Sequence, residues 1–188
     1  MNSNRTGILL RERKAVFVNR DGTLINNEGK ICIGKKEDVT LNVSIIMGLK
    51  KLYDLGYMII VITNQSAVAK KLITETQMNE VNKYINEILS ILGLKITHFY
   101  CCIHHPSVKA CVCRKPSPYF VNKAIETFKI NKYKSWYIGT ENRDKICAET
   151  AEIKFIKIKS NSNINSALNQ IINSNSESDY YNLNEETF

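Results

Sequence analysis

Proline and glycine are scarce, 3 and 8 of 188 residues. At those levels the chain is neither collagen-like nor a Gly/Pro-rich disordered segment. No apolar run approaches the roughly 20 residues that span a bilayer, so no transmembrane helix is expected. The stretch Met1 to Gly7 lacks the apolar core of a secretory signal, and the expected compartment is the cytoplasm. No internal repeat and no shift in composition marks a second domain. No basic block interleaves with aromatics, which ranks nucleic acid well below small phosphorylated ligands as a partner. What is present is ordinary for one domain with a real core: 44% apolar and 23% charged residues.

Acids are also in deficit. Eighteen Asp and Glu face 26 Lys and Arg, a net charge of +8. Four of the acids (Glu177, Asp179, Glu185, Glu186) lie between Asn173 and Phe188, a segment with no Lys or Arg. The rest of the chain is therefore the more basic part and should attract anions such as phosphates. Abundant Lys, Asn and Ile also suit an AT-rich coding sequence, a blander origin for the same charge. The chain divides into an N-terminal extension (1–13), a domain (14–172) and an acidic tail (173–188) expected to be mobile. One alternative function is that of an interaction or scaffold protein whose basic face or acidic tail recruits a protein partner; the tail could also fold back on a positive cleft, or have no role.

Apolar runs alternate with amphipathic ones. Lys14–Asn19, Tyr57–Thr63, Lys95–Cys101, Ser135–Gly139 and Lys154–Ile158 read as buried strands. Val43–Leu55 carries apolar residues at helical spacing and is closed by Gly56. Thr74-Glu-Thr-Gln77 is a capping box opening a long helix to Leu92. Ser117-Pro118 reads as an N-cap and first helical residue of a helix to about Phe128. Asp144–Thr150 suits a short helix, and Ile164, Leu168 and Ile171 a last one. This order predicts an α/β fold, a central parallel sheet with helices on both faces. Ligands of such sheets sit at the carboxyl ends of the strands. The segments to inspect are thus Asn19–Thr23, Thr63–Ser66, the stretch up to Lys115, and Gly139–Asp144.

Four of the six cysteines, Cys101, Cys102, Cys111 and Cys113, fall within thirteen residues. Such clustering without a secretory signal favours a metal site over disulfides. Cys102-x-His104-x₆-Cys111-x-Cys113 supplies three thiolates and an imidazole, a full tetrahedral set for a structural Zn²⁺, with Cys101 as a substitute for Cys102. The loop has little apolar content of its own, so the metal would provide its core. His105 reads as a loop residue, and His98, Cys32 and Cys147 as ordinary core or surface residues.

The strand-end segments form a set. Asn19-Arg-Asp-Gly-Thr23, Thr63-Asn-Gln-Ser66, Arg114-Lys115-Pro116 and Ile138-Gly139-Thr140 with Asp144 together resemble the haloacid dehalogenase (HAD) superfamily of phosphatases. The closer resemblance is to its small zinc-bearing branch, the D-glycero-D-manno-heptose 1,7-bisphosphate and histidinol-phosphate phosphatases. It spans about Lys14 to Ile158 and includes the cysteine loop. The resemblance implies a three-layer Rossmann-like fold with a small or absent cap. It also implies Mg²⁺ at the strand ends and a phosphorylated small molecule, a sugar phosphate or histidinol phosphate, as ligand. In that family the first Asp of Asp-x-Asp-Gly-Thr attacks the phosphorus and the second serves as acid and base. Carried over residue by residue, Asn19 stands at the nucleophile position and Asp21 is the acid/base. Thr63, Asn64 and Lys115 bind phosphate; Mg²⁺ is held by the side chain at position 19 and the backbone carbonyl of Asp21, and Asp144 helps hold it or orients its ligands. Arg20 and Arg114 are candidates for gripping a second anionic group.

Two positions depart from the family pattern. Asn19 replaces the nucleophilic Asp, and Thr140 replaces an Asp that follows Gly139. An amide is a poor nucleophile, and both changes remove charged oxygens that Mg²⁺ favours. Three explanations stand: Asn19 is an engineered trap, Glu141 or Asp144 compensates, or the chain is a natural pseudophosphatase that binds its ligand without hydrolysing it. The last is the preferred expectation.

Overall fold

Strand β1 (Lys14–Val18) has its last four residues buried, because both faces of the sheet are covered. Val16 and Val18 pack with Ile45, Leu49, Val81 and Ile85 on one face. Ala15 and Phe17 pack with Val121, Ala124, Cys147 and Ala148 on the other. A strand buried on both sides reads as a continuous apolar run rather than an alternating one. The structure, a computed structural model, describes residues 12–174. Most of the N-terminal extension and of the acidic tail lie outside those residues.

The elements follow as α1 (Val43–Asp54), β2 (Tyr57–Asn64), α2 (Ser66–Ala69), α3 (Glu75–Ile91), β3 (Ile96–Cys102), α4 (Tyr119–Phe128), β4 (Trp136–Gly139), α5 (Asn142–Thr150) and β5 (Lys154–Lys157). The five strands form one parallel sheet in the order β3-β2-β1-β4-β5. The chain first builds outward from β1 to β3, then returns to the other side of β1. That reversal opens a crevice beyond the carboxyl end of β1, the position where ligands bind in open α/β sheets. The expected fold class is therefore the observed one. No inserted domain covers the crevice among the described residues; a loop from 26 to 42, with one short 3-10 turn at Lys36–Asp38, runs along it.

Local expectations hold to within a residue or two. The capping box of α3 is present: Thr74 Oγ1 accepts from Gln77 N at 3.1 Å, and Gln77 Oε1 accepts from Thr74 N at 2.8 Å. Residues 165–174 are helical, and Ile164, Leu168 and Ile171 join the α1/α3 face of the core. The start of α4 differs. Pro118 is its N-cap and Tyr119 its first residue. Ser117 Oγ donates to Val112 O at 2.5 Å, which binds Ser117 to the preceding loop and moves the helix one residue on. Helix α5 opens two residues before Asp144, because the Asp144 side chain serves the turn in front of it.

Gly48 lies where α1 meets the last helical stretch; a Cβ there would run into Ile164 Cγ2. Its neighbour Leu49 is fully buried. Leu49→Ala should lower stability by about 2–5 kcal/mol, the usual cost of truncating a buried Leu. Urea unfolding followed by circular dichroism measures this.

Candidate active site at the carboxyl end of the sheet

Asn19 is the first residue past β1, and its amide lies between a cation and an anion. Its Nδ2 donates to Asp144 Oδ2 at 2.8 Å, and its Oδ1 accepts from Lys115 Nζ. Lys115 Nζ is 2.8 Å from Asp144 Oδ1, and also donates to Ile62 O at 2.9 Å and Tyr137 Oη at 3.2 Å. The second oxygen of Asp144 accepts from the backbone N–H of Thr140 and of Glu141, each at 3.0 Å. Asn19, Lys115 and Asp144 are all buried. Burial pushes the Lys115 ammonium below the ordinary lysine value, and the Asp144 carboxylate opposes that shift. Burial likewise holds the Tyr137 phenol well above its ordinary value, with Asp144 adding to the effect.

Asp21 is held from behind. Arg20 donates to both of its oxygens, Nε to Oδ1 at 3.0 Å and Nη2 to Oδ2 at 3.2 Å. Gln65 Nε2 reaches Asp21 Oδ2 at 2.6 Å and Thr63 Oγ1 at 2.8 Å. Arg20 itself is fully buried and also donates to Gln65 Oε1 and Asn82 Oδ1. The turn that presents Asp21 needs a left-handed residue next, and Gly22 supplies it at φ +74°.

These groups line a cleft of about 260 Å³ that holds Asn19, Asp21, Thr63, Asn64 and Lys115 on its floor and walls. Its rim carries Asn27, Lys30 and Arg143, and Arg143 is paired with Glu141. Two sequence-derived expectations need correcting. Arg20 does not line the cleft: its guanidinium is engaged by Asp21, Gln65 and Asn82 and faces away from any ligand there. Arg114 is likewise engaged, donating to Ser66 Oγ at 2.7 Å and His104 O at 3.1 Å, and lies off the cleft wall. Asn64 faces the cleft, but its amide is clamped to the backbone of Lys115, accepting from N at 3.1 Å and donating to O at 3.2 Å. Gln65, Asn82 and Tyr137 were not singled out from the sequence. Gln65 had a signal, its place in the strand-end Thr63–Ser66 segment; Asn82 and Tyr137 had none, being polar residues inside a helix and a strand.

The cysteine loop brings a second group together. Cys102 Sγ, His104 Nδ1, Cys111 Sγ and Cys113 Sγ all lie within 4.8 Å of one another. The contacts are 3.6 Å for Cys102–Cys111, 3.8 Å for Cys102–His104 and 3.5 Å for Cys113–His104. A tetrahedron with Zn–S and Zn–N bonds of ordinary length has edges of about 3.8 Å (S–S) and about 3.6 Å (S–N). The residues therefore fit a tetrahedral metal with no open position. Cys101 is not part of the set; its sulfur accepts from Asn82 Nδ2 at 3.3 Å. Burial and the neighbouring thiols push Cys113 up to about 12, and a bound dication would reverse that by favouring the thiolates.

The strand-edge carboxylates do not fit Mg²⁺ in the same way. Asp144 Oδ2 takes three N–H donors, and its Oδ1, which makes no hydrogen bond, faces the Lys115 ammonium as an ion pair; Asp21 faces Arg20 with both oxygens, and Glu141 pairs with Arg143 at the rim. The Asn19 oxygen accepts from an ammonium. Among the described residues, the Cys/His cluster is the one group of three or more metal-ligating side chains close enough to share an ion.

Known proteins resemble this chain in both fold and sequence. The D,D-heptose 1.7-bisphosphate phosphatase of B. bronchiseptica, solved with magnesium and phosphate, superposes with a TM-score of 0.73 at 20% identity, covering 84% of this chain and 86% of that one. A HAD-like phosphatase of Mesorhizobium loti gives a TM-score of 0.70 at 21% identity, covering 76% and 70%. The fold is thus that of the HAD-like phosphatases. In sequence, the D-glycero-alpha-D-manno-heptose-1,7-bisphosphate 7-phosphatase of Photorhabdus laumondii is 36% identical over 146 residues, 74% of this chain and 79% of the relative. The D-glycero-beta-D-manno-heptose-1,7-bisphosphate 7-phosphatase of Helicobacter pylori strain 26695 is 32% identical over 146 residues, 77% and 83%. The family model described as Polynucleotide kinase 3 phosphatase matches residues 14–181, and the chain belongs to that family.

Lys115 and Asp144 form a buried pair whose halves depend on each other. Lys115→Met leaves Asp144 without its counter-ion in the protein interior and should cost about 3–5 kcal/mol. Denaturant unfolding of the variant beside the parent chain measures the loss.

Proposed function

We propose that this chain binds a phosphorylated small molecule, of the sugar-phosphate or histidinol-phosphate class, in the cleft beyond β1 and does not turn it over efficiently. The observation that carries this reading is the Asn19 amide, fixed between Lys115 and Asp144 where the family has its attacking carboxylate. Its oxygen accepts from an ammonium and carries no negative charge, so it offers no usable electron pair to phosphorus. Loss of a covalent nucleophile costs on the order of 10⁴–10⁶ in rate. Asp21 stays in place as an acceptor aligned by Arg20 and Gln65. Thr63 accepts from Gln65, which leaves its own proton for a phosphate oxygen. Lys115, aligned by the Asn64 clamp, supplies positive charge at the cleft floor, and Arg114 ties the cysteine loop to α2. Magnesium in the family supplies charge neutralisation at the phosphate; the residues here do not fit it, and no step is assigned to it. The cysteine cluster holds a structural Zn²⁺ that fixes the loop leading to Arg114 and Lys115. Cytoplasmic placement belongs to the same reading.

The test is a phosphate-release assay with Mg²⁺ over heptose 1,7-bisphosphate, histidinol phosphate and a 3′-phosphorylated oligonucleotide, beside calorimetric binding of each. Saturable binding of a small phosphate ester with release no faster than the Asp21→Ala variant is expected. Robust turnover that disappears in Asp21→Ala would sink the reading and favour an active phosphomonoesterase in which Glu141 or Asp144 compensates.

Metal removal gives a separate outcome. Elemental analysis should find about one zinc per chain, as a closed four-ligand site requires. Stripping it with a strong chelator, or Cys113→Ser, should lower the melting temperature and weaken ligand binding together.

A further inference from the structure

We propose that the cleft receives its phosphoryl group without a divalent cation, with Lys115 and the Asn19 amide doing together what a metal would do. We further propose that the residues at positions 19 and 140 decide this. The inference rests on the reading of the cleft as a phosphate-binding site.

The charges at the strand edge already cancel. Asp21 is matched by Arg20, and Asp144 by Lys115. Aspartates at positions 19 and 140, as the family motif has them, would add two negative charges at this edge, the amount a dication offsets. The two departures from the motif thus remove as much negative charge as the missing ion would have balanced.

The hydrogen bonding points the same way. A carboxylate at position 19 would be acceptor-only and would repel a phosphate. The Asn19 amide gives one Nδ2 proton to Asp144 and keeps a second. Its oxygen takes a proton from Lys115, which keeps that ammonium at the cleft floor. With Asp21 and Asp144 both committed to internal partners, a cation entering here would have to break several charge-assisted bonds to gain its ligands.

The experiment uses the full chain, zinc-loaded and freed of other divalent ions. Inorganic phosphate is titrated with and without excess MgCl₂ and followed by phosphorus NMR line width. Mn²⁺ binding to the same protein is read by electron paramagnetic resonance. Phosphate affinity should change by less than about twofold on adding Mg²⁺, and no Mn²⁺ site that depends on Asp21 should be seen. The Asn19→Asp/Thr140→Asp variant should bind phosphate at least about tenfold more tightly with Mg²⁺ than without it, and should gain a Mn²⁺ site.

Tightening of about tenfold by Mg²⁺ in the unaltered chain overturns the proposal, as does a Mn²⁺ signal there that is lost in Asp21→Asn. A double variant that folds yet gains no cation dependence overturns the assignment to positions 19 and 140. If that variant does not fold, the arms on the unaltered chain decide. Absence of phosphate binding in either buffer counts against the phosphate-binding reading instead, and the Mn²⁺ spectra still decide the cation question.

Discussion

An ammonium and a carboxylate buried side by side at the end of a parallel sheet constrain everything placed between them. Lys115 and Asp144 come from opposite flanks of β1, one after the cysteine loop and one from the first turn of α5. Taking two charges out of water is costly unless each is matched and hydrogen-bonded. The Asn19 amide completes the match, accepting on one side and donating on the other. Tyr137, the Ile62 carbonyl and two backbone N–H groups fill the remaining positions. The members are linked through one another, which is why a change at one of them is felt at the others.

Two separate supports hold the cleft. One half, Asp21 with Thr63, depends on Arg20, Gln65 and Asn82, and so on β1, β2 and α3. The other half, Lys115 with Arg114, depends on Asn64 and on a loop tied together by cysteines and a histidine. The first half is assembled by the hydrophobic packing that builds the sheet. In the second half the loop buries little apolar surface, with Val108 and Val112 exposed, and its four ligating side chains gather within 4.8 Å of one another instead. The halves meet at Asn19.

Much of this was legible in the sequence, for identifiable reasons. The strands are buried on both faces, so they read as unbroken apolar runs, and alternation with amphipathic helices fixed the sheet as parallel. Once parallel, its carboxyl edge had to collect Asn19, Asp21, Thr63, Lys115 and Thr140. The cysteine spacing named its four members directly. What could not be read was direction. Arg20 sits next to Asp21 in the chain and looked ready to meet an anion from outside, but the anion it meets is its own neighbour, aligned by a buried amide on α3. Asn82 and Tyr137 carry no motif; only packing shows that they serve the site. The start of α4 shifted by one residue because Ser117 bonds to the loop before it, a contact that local propensity cannot see.

The amide of Asn64 exchanges with the backbone of Lys115 the same donor and acceptor that a neighbouring strand residue would exchange. The sheet in effect gains one rung made by a side chain, and Lys115 is docked on that rung as well as held by the loop that leads to it. The backbone of Lys115 thus has an anchor on β2 in addition to the loop that leads to it, so its position over the carboxyl edge is fixed from two directions.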